Sequence, residues 1–336
     1  MRTLVTGATG FLGRHVVQVL RSRGDEVVAV ARGHERRARG KSAPLALSHL
    51  GAELVSCDVL DGEALAAAMK GVEAVLHCAG RVSRDPADAA ALQEVNVIGT
   101  RKVLDAAKAA GVRRVVIAST SGTVGISEES SFVARETSPT PLHLINHFPY
   151  YRTKLFSEQE ALGRSETGKF EVLSINPSLL LGPGDVFGSS TSDVRQFLEG
   201  SVPAIPAGGI SFVDARDAAD GMVRALDRGQ PGQRYLLGGC NLTMAAFFGR
   251  LERVSGVSGP KIRLPRGAAA GKAISSLYDR ALSVIGSQSP VDPASVHMGQ
   301  LTWYIDSTKA ERELGWLARD PNETLADTVR DLRGTA

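Results

Sequence analysis

Short apolar runs alternate with segments of helical periodicity through the first half of the chain. TLVTG, EVVAVA, ELVSCD, AVLHCAG, RRVVIAST and FEVLSINPS read as strands, and most are near-continuous in Val, Ile and Leu. Runs of that kind mark strands covered on both faces, since a half-exposed strand alternates apolar with polar positions. Between them, Phe11, Leu12, Val16, Val17 and Leu20 recur at the spacing of one helix face. GEALAAAMKG, the stretch 88–110 and the segment from Tyr150 to Gly168 read as further helices. This alternation predicts a parallel sheet with helices on both sides, a doubly wound α/β (Rossmann-type) fold.

After Pro177 the rhythm breaks. LLLGPGDVFGSSTS is rich in turn residues, and Pro203, Pro206, Pro260 and Pro265 punctuate irregular segments. ISFVDARDAADGMVRAL then returns to a strand and a helix, with Ala215, Ala218, Met222, Val223 and Leu226 inward. The expected organisation is a large unit of residues 1–175 with 209–231. A smaller, partly interleaved unit of 176–208 with 232–336 would complete the chain.

A length of 336 residues is more than one compact core usually spans, which agrees with two interlocked units. The net charge of +3 implies neither a nucleic-acid nor a membrane-surface partner. No stretch of about 18 uncharged apolar residues occurs. The nearest, GAAAGKAISSLYDRALSVIG, is interrupted by Lys272, Asp279 and Arg280. The chain starts directly on a strand and glycine turn without a basic-then-apolar leader, and Cys57, Cys78 and Cys240 suit neither a disulfide framework nor a metal site. A cytoplasmic protein is expected. His143 and His147 lie in a proline-flanked loop without nearby carboxylates, so no metal site is expected there.

VTGATGFLG sets Gly7, Gly10 and Gly13 after the first strand and into the start of the following helix. Gly7 permits the tight turn, Gly10 lets backbone N–H groups approach a pyrophosphate, and Gly13 lets the helix pack close to the sheet. The anion would rest on the positive end of the helix. A dinucleotide site follows. NAD recognition ordinarily uses a carboxylate at the end of the second strand, where this chain has Ala31 and Arg32. A guanidinium suits a 2′-phosphate, with Arg36 or Arg37 assisting, so NADP(H) is favoured over NAD(H).

The spacing G-x-x-G-x-x-G in TGATGFLG resembles the extended short-chain dehydrogenase/reductase superfamily, also described as the NAD-dependent epimerase/dehydratase family. By that resemblance Thr9, Phe11 and Leu12 join the three glycines in the cofactor loop. Asp58 and Val59, after ELVSC, would meet the adenine. Ala79 and Gly80 of HCAG would lie under the adenine ribose, with His77 either functional or a buried structural residue. Pro177 and Ser178, in the turn after the sixth strand, would reach the nicotinamide amide. Asn96 in EVNVIGT resembles a helix-bending asparagine and is given a structural role.

PYYRTK carries the chemistry. Tyr150 and Lys154 are four apart, one turn along a single helix face, whereas Tyr151 points roughly 100° away. A free phenol has a pKa near 10, and a nearby ammonium lowers it. Tyr150 can then exchange a proton with a carbonyl or alcohol oxygen. Y-x-x-x-K matches the family's catalytic motif, in which the lysine also binds the nicotinamide ribose. In RRVVIASTSGTVG the family's hydroxyl donor falls on Thr120, with Ser119 and Ser121 one residue either side.

Leu180 and Leu181 stand where sugar-nucleotide enzymes of the family carry an amide and an aromatic residue. The dehydratase acidic pair beside the catalytic Thr is also missing, since Ser121 and Gly122 follow Thr120. The pattern is closer to the dihydroflavonol-reductase-like branch. The expectation is an NAD(P)H-dependent oxidoreductase interconverting a ketone and a secondary alcohol on a largely apolar small molecule. A sugar-nucleotide epimerase or dehydratase is the alternative, and a non-catalytic redox sensor is a third reading. The segment 267–286 is a candidate apolar wall or lid. The resemblance also implies a homodimer through the helices at 88–110 and 150–168.

Overall fold

A computed structural model describes residues 1–32, 47–266 and 293–334. Arg36, Arg37 and the candidate lid at 267–286 lie outside the described residues. The strands are β1 (Arg2–Thr6), β2 (Glu26–Ala31), β3 (Glu53–Ser56), β4 (Ala74–His77), β5 (Arg114–Ala118), β6 (Glu171–Pro177), β7 (Leu179–Leu181), β8 (Gly209–Asp214), β9 (Arg234–Leu237) and β10 (Cys240–Thr243). Seven of them form one parallel sheet in the order β3-β2-β1-β4-β5-β6-β9. Successive residues on these strands face opposite cores. Leu4, Val28, Val75 and Val115 join one cluster, and Val5, Ala29, Leu76 and Val116 the other. Burial on both sides is why these strands read as unbroken apolar runs.

Helices α1 (Phe11–Ser22), α2 (Gly62–Ala68), α3 (Ala89–Leu92), α4 (Gly99–Ala109), α5 (Leu142–Ile145), α6 (Pro149–Gly163), α7 (Ser192–Leu198), α8 (Ala215–Arg228) and α9 (Met244–Ser255) follow in chain order. α1 and α8 pack together on one face, where Val16, Val17 and Leu20 meet Met222 and Trp316. α2, α4 and α6 cover the other face. The chain leaves β1 toward one edge of the sheet and resumes at β4 toward the other. A crevice therefore opens beyond the carboxyl ends of β1 and β4, the usual ligand site of such sheets.

The helix read at 88–110 is not uniform. Between α3 and α4, Gln93–Ile98 form a π-helical turn that buries Asn96. Asn96 Oδ1 accepts from Arg81 N–H (2.8 Å), and its Nδ2 donates to Arg81 O (3.0 Å) and Thr153 Oγ1 (3.1 Å). The distortion thus ties the loop after β4 to α6. The helix read as reaching Gly168 ends at Gly163.

The sheets cut across the division expected from the sequence. β8 pairs with β7 and β10 in a separate three-stranded sheet, while α8, which follows at once, packs in the large layer. β9, expected beyond the boundary at 231, is the outer strand of the large sheet. The small sheet shares a core of Phe197, Phe212, Phe247, Phe248 and Leu325 with α7, α9 and the helix Pro321–Arg333. No described helix is long and apolar enough to cross a membrane.

Candidate active site

At the end of β1 the chain turns through Gly7 with φ +65°, and a Cβ there would stand 2.7 Å from Ala79 Cα. A Cβ on Gly13 would fall 2.2 Å from Gly7 O, so the helix could not pack this close to the turn. Gly10 occupies the N-cap of α1 with extended backbone and no side-chain cap. The first-turn N–H groups of Phe11, Leu12 and Gly13 are thereby left to an outside acceptor, the arrangement that receives a phosphate.

A cleft of about 660 Å³ runs from this loop across the ends of the strands. Gly10, Phe11, Leu12 and Gly13 border it at one end, with Arg32, Gly80, Pro177 and Ser178 beside them. Arg32 is exposed. Ser178 is buried, and its hydroxyl has no hydrogen-bond partner. An orphaned hydroxyl opening on the cleft, together with an uncapped helix end, fits a bound dinucleotide.

Five residues expected at the cofactor lie off this cleft. Gly7 shapes the turn behind it, and Thr9 is exposed on the loop. Asp58 is occupied as the acceptor of Leu60 N–H (2.9 Å). Val59 is buried in the core beneath Gly99, and Ala79 N–H donates to Thr6 Oγ1 (3.2 Å). His77 is structural: it hydrogen-bonds Thr6 Oγ1 (2.7 Å) and Thr100 Oγ1 (2.9 Å). Burial, aided by the Lys154 charge, pushes its pKa down to about 3.

Tyr150, Lys154 and Thr120 all line this cleft. Tyr150 and Lys154 stand one turn apart on α6, which starts at Pro149, a residue suited to a first helical position. Thr120 caps the short turn Ser121–Thr123 that follows β5, accepting from Gly122 N–H (3.3 Å). Ser119, one of its two rivals, is buried with its hydroxyl donating to Glu158. Ser121 is buried and borders the cleft.

The charges correct one expectation. Lys154 Nζ donates to Ala118 O (2.5 Å), and burial brings its pKa down to about 8 against the pull of Glu158 and Cys78. Burial raises the Tyr150 phenol above its ordinary value, with Tyr151 adding to the rise. Burial therefore moves the phenol upward, the opposite of the lowering expected from a neighbouring ammonium.

Tyr151 has a packing role. Its ring lies 5.0 Å from Trp303 and 6.0 Å from Phe148, and a Cβ on Gly122 would come 2.3 Å from its Cε1. It wedges α6 against the turn that carries Thr120. His147 packs beside His297, with ring centroids 5.4 Å apart.

Beyond Tyr150 the cleft is walled by residues the sequence did not announce, including Phe187, Phe247, Phe248, Met298 and Trp303. Arg84 also faces it, held by both Asp193 oxygens (2.8 and 2.7 Å) and by Ser295 Oγ (3.0 Å). Repeated aromatic residues in 187–248 were the available signal. Their convergence depends on the small sheet, which no local pattern encodes.

The family model described as "NAD dependent epimerase/dehydratase family" matches residues 3–238. The chain belongs to this family. It is an extended short-chain dehydrogenase/reductase with dihydroflavonol-reductase-like relatives. It is similar to a putative dihydroflavonol 4-reductase of Synechocystis sp. (31% identical, covering 97% of this chain and 92% of the relative). It is similar too to a sterol demethylase protein B of Methylococcus capsulatus (32%, covering 98% and 97%). Among solved structures, a dTDP-glucose 4,6-dehydratase from Streptomyces venezuelae with NAD bound superposes with a TM-score of 0.73 (27% identical, covering 99% and 97%). A nicotinamide dinucleotide is therefore the cofactor class of this epimerase/dehydratase-family chain.

The buried ammonium has a measurable consequence. Lys154 is protonated up to about 10.5 when unfolded but only up to about 8 when folded. Its desolvation cost is therefore fully present below pH 8 and is relieved as pH rises to 10.5. Lys154→Met should unfold at higher urea than the parent at pH 7. Water in the cleft screens the charge and limits the gain to about 1 kcal/mol. The gain should fade by pH 10; one that is absent at pH 7, or undiminished at pH 10, would contradict a desolvated ammonium.

Proposed function

We propose that this protein is an NADP(H)-preferring carbonyl reductase or alcohol dehydrogenase that interconverts a ketone and a secondary alcohol on a largely apolar small molecule. When bound, the cofactor supplies or accepts the hydride at the carbon that carries oxygen. Tyr150 gives the oxygen its proton in reduction and takes it back in oxidation. Thr120 holds that oxygen beside the phenol. Lys154 anchors the nicotinamide ribose and steadies the developing phenolate. The observation that carries the reading is the Tyr150–Lys154–Thr120 set opening onto a cleft whose far side is aromatic and aliphatic.

Apolar lining suits a substrate recognised by shape and burial. The Arg84 guanidinium is already matched by the Asp193 carboxylate, which disfavours a diphosphate at that wall. The names of the reductase and sterol relatives point the same way. The dehydratase likeness supports the runner-up, a sugar-nucleotide epimerase or dehydratase. Such an enzyme returns its cofactor unchanged, so net NADPH consumption separates the two. The three cysteines are unpaired, which supports a cytoplasmic protein.

A panel of aliphatic β-keto acids, steroids, flavonoids and sugar nucleotides should include a ketone reduced with stoichiometric NADPH loss. Tyr150→Phe should lower kcat by a factor of about 10² or more while NADPH still binds. Turnover unaffected by that change would remove the mechanism. β2 ends in Ala31, and the exposed Arg32 borders the cleft. Arg32→Asp should therefore shift preference from NADPH toward NADH by about tenfold or more in kcat/KM; unchanged selectivity would remove the NADP(H) assignment. We also propose a homodimer through α3–α4 and α6, as the family resemblance implies, with the exposed Phe156 of α6 placed on that face. Sedimentation velocity should give a dimer that Phe156→Glu converts to monomer, and a monomeric parent would contradict it.

A further inference from the structure

Glu158 lies two turns beyond Tyr150 and one beyond Lys154 on α6, and its side chain is fully buried. One carboxylate oxygen accepts from the Ser119 hydroxyl, from Thr123 Oγ1 (3.2 Å) and from Asn176 Nδ2 (2.7 Å). The other faces Arg234 Nε of β9 at 3.0 Å. Asn176 Nδ2 also reaches Thr120 O (3.1 Å), as does Thr123 Oγ1 (3.1 Å), and Ser174 Oγ orients Asn176 by donating to its Oδ1 (2.7 Å). The ends of β5, β6 and β9 and the turn bearing Thr120 therefore converge on one side chain. A buried ion pair adds little net stability compared with apolar packing, so its presence beneath the site calls for another reason.

We infer that Glu158 is a positioning residue, whose carboxylate fixes the turn that presents Thr120 and supplies the negative charge that Lys154 faces along the helix. This rests on reading Tyr150, Lys154 and Thr120 as the reacting set. The Lys154 charge acts on His77 and Cys78 at the end of β4 and on Glu158 one turn along its own helix, where Tyr150 also stands one turn back. The other charged pairs at and just past α6, Arg101–Glu160 and Arg164–Asp105, are partly exposed. Glu158 is thus the carboxylate placed to hold the proton on Lys154, countering the burial that removes it.

The test is the titration of the Lys154 side chain in the full-length protein, read from ¹³Cε-labelled lysine and assigned by its loss in Lys154→Arg. In the parent the midpoint should lie near 8. Glu158→Gln should lower it by about one pH unit, and the double variant Glu158→Gln/Arg234→Met, which strands no lone cation, should lower it by less. Near-UV circular dichroism reports whether each variant folds. An unchanged midpoint in folded variants would overturn the proposal. Failure of both variants to fold would assign Glu158 to stability alone and overturn it equally. The titration needs neither substrate nor turnover, so a failed search for a ketone would leave it intact, and its own failure would leave the reductase reading standing.

Discussion

Everything at this site depends on one helix lying with a polar face inward against the carboxyl ends of β5 and β6. α6 buries Thr153, Ser157 and Glu158 alongside Leu155 and Ala161. An ordinary surface helix would bury leucines there and turn its hydroxyls and carboxylates to water. Here the buried polar groups are engaged: Thr153 Oγ1 donates to Tyr150 O, Ser157 Oγ to Lys154 O, and Glu158 takes Asn176 of β6 on one oxygen and faces Arg234 of β9 with the other. The 3.6-residue repeat then fixes where Tyr150 and Lys154 emerge. Their placement is a consequence of the polar seam below them.

That seam explains the electrostatic state. A phenol and an ammonium sharing a partly desolvated cleft both move toward neutrality, the phenol upward and the ammonium down to about 8. Under the proposed reductase reading, proton exchange with a substrate oxygen would draw on both groups, the lysine titrating near 8. The glycine turn at the other end of the cleft solves a different problem, bringing a positive helix end against the sheet without a side chain between.

Much of this was legible locally. Burial of the large sheet on both faces leaves apolar runs, and close helix–turn packing leaves glycines, so both survive in a single sequence. Tyr150 and Lys154 were legible because four residues make one turn. Glu158 was not, since a carboxylate in a helix ordinarily reads as a solvated charge, and its partners Ser119, Asn176 and Arg234 come from the residue after β5, from β6 and from β9. The role of Tyr151 depended on Trp303, far along the chain. β9 was missed as part of the large sheet because RYLL is only four residues long, and its neighbour is chosen by tertiary pairing with β6. The phenol's upward shift was also out of reach, because desolvation arises only where the folded elements converge.

The most direct test of the central claim is a crystal structure with NADP(H) bound. The account predicts the pyrophosphate on the N–H groups of Phe11, Leu12 and Gly13, and the reactive edge of the nicotinamide turned toward the Tyr150 oxygen. Lys154 should then exchange Ala118 O for the ribose hydroxyls. A nicotinamide ring lying outside the cleft, or a Tyr150 oxygen directed away from it, would contradict the account.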